Sequence, residues 1–157
     1  MAFEAGSAAP NFELENQNGE VRNLASYAGK YLVIYFYPKD NTPGCTKESC
    51  TFRDKIANFT DKNVVVVGVS KDSAKSHNKF IEKFELPFDL LVDSEMEMMQ
   101  AYDCWKEKMN YGKKYMGCVR STVIIDPQGK VVKHWEKVTK AEIHPLAVLE
   151  VINEVTA

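Results

Sequence analysis

Residues 31–38 read Tyr-Leu-Val-Ile-Tyr-Phe-Tyr-Pro. Seven apolar and aromatic side chains follow one another without a polar break. Such a run predicts a strand buried on both faces, and Pro38 ends it. Residues 64–69, Val-Val-Val-Val-Gly-Val, predict a second strand of the same kind. Between them lies a polar turn and then a helix predicted from Pro43 to about Phe59. Thr42 suits its N-cap, and Pro43 suits the first helical position.

Working outward, Ala74 to Phe84 reads as an amphipathic helix and Asp89 to Asp93 as a third strand. Ser94 is expected to cap a helix running to Tyr102. Residues 103–118 read as an irregular, aromatic-rich loop. Ser121 to Ile125 and Val131 to Trp135 form a hairpin about the turn Asp126-Pro-Gln-Gly129. Pro145 opens a last helix to about Val155. Before the first strand, Phe12, Leu14 and Val21 flank an Asn18-Gly19 turn, which predicts a small N-terminal β-hairpin lying against the main body. Strands alternating with helices predict an α/β fold with a central, largely parallel sheet covered on both faces, made mixed by the closing hairpin. A thioredoxin-like three-layer sandwich is the natural solution.

The chain has 157 residues, of which 45% are apolar and 27% charged, with a net charge of −2. That predicts a single globular domain over residues 1–157. No basic field points to nucleic acid or to an anionic membrane surface. No stretch has the ~20 apolar residues of a membrane span. The N-terminal residues carry no basic leader with an apolar core, so the expected location is cytoplasmic. Four cysteines are too few for a secreted disulfide scaffold and suit redox-active, metal-bound or buried thiols.

The informative stretch is Pro38-Lys-Asp-Asn-Thr-Pro-Gly-Cys-Thr-Lys-Glu-Ser-Cys50. Cys45 falls in the first turn of a helix just beyond a strand end. Free N–H groups and a partial positive charge there favour thiolate, the nucleophilic form. Cys50 lies five residues on. In an intact helix that spacing gives roughly 140° of rotation and about 8–9 Å between Cα atoms, and a disulfide rarely tolerates more than about 7 Å. A bond between the two therefore requires the first turns to unwind. Spacing alone leaves open whether Cys50 is that partner or one more core residue of the helix.

Residues 36–54, FYPKDNTPGCTKESCTFRD, resemble the active-site segment of peroxiredoxins, and in particular of the bacterioferritin comigratory protein, or peroxiredoxin Q, subfamily. The signature Pro-x-x-x-Thr-x-x-Cys is met by Pro38, Thr42 and Cys45, and the subfamily's second cysteine by Cys50. A second block at residues 111–131, YGKKYMGCVRSTVIIDPQGKV, is similar to its arginine-bearing strand and supplies Arg120. The resemblance implies a thiol peroxidase that needs no metal, haem or flavin cofactor. Cys45 would attack hydrogen peroxide or an organic hydroperoxide and become a sulfenic acid. Arg120 would hold the thiolate and the peroxide, Thr42 would hydrogen-bond the peroxide, Pro38 would cover the thiolate, and Glu48 would orient Arg120. Cys50 would be the resolving cysteine. A dithiol protein, thioredoxin or glutaredoxin, would reduce the disulfide by exchange, and the subfamily implies a monomer. No Gly-Gly pair occurs. The insertion found in hyperoxidation-sensitive relatives is thus missing, which implies resistance to inactivation by peroxide. The competing reading is a peroxide-sensing disulfide switch or binding module without turnover. Such a module needs a reactive thiol but not Arg120 and Thr42.

Cys104 and Cys118 match no catalytic position of the subfamily. They read as partly buried free thiols, with a fallback role as partners of Cys45. A zinc site is disfavoured by spacing, because there is no Cys-x-x-Cys and the three histidines are scattered. His77 is expected on an exposed helix face, and His134 and His144 as surface or capping residues. Met96, Met98 and Met99 read as core packing. Trp105, Tyr111 and Tyr115 are candidates for the mouth of the site or for simple loop packing.

Overall fold

A computed structural model describes residues 4–157. Strands β1 (Glu13–Glu15) and β2 (Val21–Asn23) form the first hairpin, and a short 3-10 turn (Leu24–Tyr27) follows. Then come β3 (Tyr31–Phe36), α1 (Pro43–Asp54), α2 (Ile56–Thr60), β4 (Val64–Ser70), α3 (Ala74–Phe84), β5 (Leu90–Val92) and α4 (Glu97–Ala101). The chain continues through β6 (Trp105–Asn110), β7 (Lys113–Cys118), β8 (Ser121–Ile125), β9 (Val131–Trp135) and α5 (His144–Val155).

Seven strands form one mixed sheet in the order β2-β1-β5-β4-β3-β8-β9. Only its middle is parallel: β3 pairs with β4 and β4 with β5. The sheet is therefore less parallel than expected, because both flanks are antiparallel. The N-terminal hairpin does not merely lie against the body. Glu15 pairs with Val92, which makes the hairpin an edge of the sheet.

The alternation along β3 explains its unbroken apolar run. Leu32, Ile34 and Phe36 pack on one face with Val67, Val69, Met98, Met99 and Tyr102. Val33, Tyr35 and Tyr37 pack on the other with Phe52, Phe59, Phe80, Val148 and Ile152. Helices α1, α2, α3 and α5 thus cover one face. The other is covered by α4 and by the N-terminal segment through Phe12 and Tyr27.

Three local expectations are corrected. The helix predicted over 43–59 breaks at Lys55 (φ −106°, ψ 9°) into α1 and α2, with no glycine or proline to mark the break. The helix expected from Ser94 starts instead at Glu97, after Met96 in the left-handed region (φ 55°). Its cap is the Asp93 carboxylate, which accepts from the N–H groups of Met98 (3.2 Å) and Met99 (2.8 Å). Residues 103–118 are not irregular. β6 and β7 pair antiparallel into a separate two-stranded arm. Its tip holds Tyr111 (φ 51°) and Gly112 (φ 79°), the left-handed pair that a tight hairpin turn requires. Met96, Met98 and Met99 pack into the core as expected.

Candidate active site

Strand β3 ends at Phe36, and residues 37–42 carry the chain over the edge of the sheet into α1. Asn41 turns it with a left-handed backbone (φ 61°), a conformation asparagine tolerates better than most residues. Thr42 is the N-cap in extended conformation, but its side chain caps nothing. Its hydroxyl donates to the Lys39 carbonyl at 2.9 Å. Pro43, which has no N–H to leave unpaired, opens the helix, and the N–H groups of Gly44 and Cys45 behind it have no acceptor within the helix. Cys45 is 1% exposed.

Arg120 reaches this turn from the short link between β7 and β8. Its Nη2 donates to Cys45 Sγ at 3.3 Å and its Nη1 to Glu48 Oε1 at 2.8 Å. Cys45 and Glu48 are three apart on α1, so one face of the helix presents both to one guanidinium. Burial opposes the charge on Arg120, but Glu48 and Cys45 outweigh it and raise its pKa. Glu48 is wholly buried and its Oε2 has no hydrogen-bond partner. Burial therefore dominates there and raises the Glu48 pKa to about 7, against the pull of Arg120.

What Gly44 supplies to the site is space. A Cβ on it would lie 3.0 Å from Arg120 Nη2. A glycine wedged between a helix-opening proline and a cysteine is the signal that could have found it.

Beside Arg120, a groove of about 600 Å³ is lined by Pro38, Lys106, Met109, Val119, Arg120 and Val138 among others. Trp105, Tyr111 and Tyr115 are not part of it. Trp105 is half-buried at the base of the arm, and Tyr111 is fully exposed at its tip. Cys50 is half-buried on α1, and all four thiols are free.

The structure brings Cys45, Glu48 and Arg120 into direct contact, sets Pro38 on the rim with Arg120, and turns the Thr42 hydroxyl toward Lys39. Residues 5–134 match the AhpC/TSA family. The chain is a peroxiredoxin of that family.

This peroxiredoxin is 48% identical over 156 residues to peroxiredoxin Bcp of Bacillus subtilis (strain 168), covering 99% of each chain. It superposes on the Xanthomonas campestris bacterioferritin comigratory protein with a TM-score of 0.91 at 38% identity, covering 98% of this chain and 100% of that one. That protein has been studied for alkyl peroxide reduction in trapped intermediate and ligand complexes. A PrxQ of Xylella fastidiosa superposes with a TM-score of 0.93 at 34% identity, covering 100% and 99% of the two chains. The thioredoxin-like fold and the assignment to the Bcp and peroxiredoxin Q group are thus both shown, and this peroxiredoxin is a thiol peroxidase.

The remaining cysteines and histidines differ from expectation in one respect, which is burial. Cys104 and Cys118 are buried, at 0% and 3% exposure, at the base of the arm. The neighbouring Cys104 and burial together push the Cys118 thiol pKa far up, so it is a poor nucleophile. His77 is not exposed but fully buried. His144 is not a surface residue either. Its Nε2 lies 2.8 Å from Thr122 Oγ1, its ring packs edge-on to Trp135, and burial, then Arg120, lowers its pKa to about 4. His134 is half-buried, with its pKa lowered chiefly by burial. Among the described residues, no helix is long and apolar enough to cross a membrane.

Proposed function

We propose that Cys45 is the peroxide-attacking thiol of this peroxidase and that Cys50 resolves it. The observation that carries the reading is the 3.3 Å contact from Arg120 to Cys45 Sγ in the first turn of a helix. The ionised sulfur attacks the terminal oxygen of the peroxide, the O–O bond breaks, and the other oxygen leaves as hydroxide or alkoxide, which takes up the proton that the thiol gave up and becomes water or an alcohol. Arg120 offers N–H donors to the sulfur and to the oxygen on which charge builds. The Thr42 proton is committed to Lys39, so its oxygen is available as an acceptor for the peroxide O–H. Pro38 shields the sulfur from the groove side. Glu48 holds the Arg120 fork in place. The sulfenic acid on Cys45 then condenses with the Cys50 thiol, releasing water and leaving a disulfide.

Hydrogen peroxide and small organic hydroperoxides are the substrates of this reading. A thioredoxin or glutaredoxin dithiol is the reductant, acting by exchange on the Cys45–Cys50 disulfide. The protein works as a single-domain monomer in the cytoplasm. The test is turnover of peroxide with a thioredoxin couple. Cys45→Ser abolishes it, and Arg120→Ala slows the peroxide step by about two to three orders of magnitude. Peptide mapping of the oxidised wild type gives a 45–50 linkage. A 45–104 or 45–118 linkage would overturn the role of Cys50, and peroxide turnover by Cys45→Ser would overturn the whole scheme.

A further inference from the structure

Beneath the loop that carries the proposed chemistry lies a buried polar cluster that this chemistry does not use. Asp40 sits between Pro38 and Thr42 and is buried. Its Oδ1 accepts from the Tyr37 hydroxyl at 2.5 Å, and its Oδ2 accepts from the Ser76 hydroxyl at 2.8 Å and faces His77 Nδ1 at 2.7 Å. Its backbone N–H donates to Asp72 Oδ2 at 2.8 Å, an oxygen that also takes the Ser70 hydroxyl at 2.7 Å. His77 is fully buried, with Nε2 2.8 Å from the Leu91 carbonyl. A carbonyl only accepts, so Nε2 carries hydrogen.

Two polar groups buried this deeply are a poor source of net stability. What they supply is a fixed geometry. Asp40 is tied to the end of β3 through Tyr37, to α3 through Ser76 and His77, and through His77 to Leu91 of β5. The stretch from residue 38 to residue 43 contains no glycine. Asn41 turns sharply within it. A shift of Asp40 therefore passes directly to Thr42 and to the first turn of α1.

We propose that Asp40 and His77 form a positioning pair for the peroxide step. They clamp residues 38–42 to the scaffold, so that Pro38, Thr42 and the start of α1 keep their places beside Cys45 and Arg120. The proposal rests on the reading of Cys45 as the attacking thiol.

The experiment is stopped-flow measurement of the two half-reactions, peroxide with reduced enzyme and thioredoxin with oxidised enzyme. The proteins are wild type, His77→Ala, Asp40→Asn, the double variant, His77→Gln and Cys45→Ser. His77→Ala and Asp40→Asn should each lower the peroxide rate constant by about tenfold to a hundredfold, the cost of a misplaced reacting group. The reductant constant should stay unchanged. The double variant should be no slower than the slower single, because the two residues act as a unit. His77→Gln, whose amide N–H can still meet Asp40, should recover most of the rate. A wild-type peroxide constant in His77→Ala overturns the proposal. So does a loss shared equally by both half-reactions and matched by the loss of folded protein. If His77→Ala does not fold, Ser76→Ala decides, since it removes only one donor to Asp40 at a half-buried position. A several-fold loss confined to the peroxide step supports the clamp, and no loss overturns it. Activity in Cys45→Ser would instead overturn the underlying reading, whatever the His77 variants do.

Discussion

Arg120 is the meeting point of the site, and the residues around it fail in different ways. Gly44→Ala puts a methyl group 3.0 Å from Nη2. The obstacle is the end of a flexible side chain, so the guanidinium moves and the fold survives. The peroxide rate constant should fall by about tenfold or more while the melting temperature holds, which stopped-flow and calorimetry will check. Glu48 and His144 lie on either side of Arg120 electrostatically, with opposite linkage. The Glu48 pKa is raised to about 7 from 4.5. Its contribution is fully present below 4.5 and is lost as pH rises through 7. The His144 pKa is lowered to about 4 from 6.5. Its contribution is present above 6.5 and is lost as pH falls through 4. Each is worth about 3 kcal/mol at full extent, so the two nearly cancel between pH 4.5 and 6.5. Glu48→Gln removes one limb. Its urea midpoint should therefore rise steadily from pH 4.5 to 6.5 where that of the wild type is nearly flat.

Helix α1 is anchored unevenly, and that unevenness sets where it can open. Its second half is held by the Ser49–Tyr35 hydrogen bond at 2.8 Å and by Phe52, which stacks on Tyr35 at 4.7 Å and meets Phe59 at 5.9 Å. In its first half the side-chain bonds to other parts of the chain are those of Cys45 and Glu48 to Arg120 and an exposed Lys47–Glu142 pair at 3.9 Å. Forming a Cys45–Cys50 disulfide should therefore unwind the turns of α1 before Ser49 and spare the residues from Ser49 to Asp54. Hydrogen exchange of the oxidised protein should show lost protection before Thr51 and retained protection after it. The easy opening also predicts that sulfinic Cys45 does not accumulate at modest peroxide with reductant present, as mass spectrometry would report. Gly68 supports the same anchor from below. A Cβ there would lie 2.8 Å from Leu90 Cδ2 and 2.9 Å from Tyr35 Cζ. Gly68→Ala should cost about 1–3 kcal/mol by overpacking and, by pushing Tyr35 off Ser49, should loosen the second half of α1. Chemical denaturation and exchange at residues 51–54 test both parts.

Across the molecule, the groove beside Arg120 is assembled from three distant parts: Pro38 after β3, Lys106 and Met109 on the arm, and Val138 beyond β9. Hydrogen peroxide is small enough to ignore its walls, whereas a bulky hydroperoxide must touch them. Met109 is 64% exposed, so Met109→Ala should leave stability and the hydrogen peroxide rate unchanged. It should raise KM for cumene hydroperoxide several-fold, as steady-state kinetics with the two substrates will show.

The linear chain announces whatever rests on local periodicity or on an unbroken motif. Tyr31–Tyr37 and Val64–Val69 read as strands because alternate residues feed two different cores. Residues 38–50 carry their chemistry in a contiguous run, and Arg120 is legible through its resemblance to a known arginine-bearing strand. The β6–β7 arm is not legible, because both of its faces meet solvent and no alternation survives to mark it. The Asp93 cap and the break at Lys55 have no nearby glycine or proline to betray them. Burial of His77 and His144 depends on partners far along the chain, Asp40 and Leu91 for one and Thr122 for the other. Hydrogen-bond partners 14 to 37 residues distant leave no pattern in a sequence. Only packing in three dimensions brings them within reach and makes the burial of a polar ring affordable.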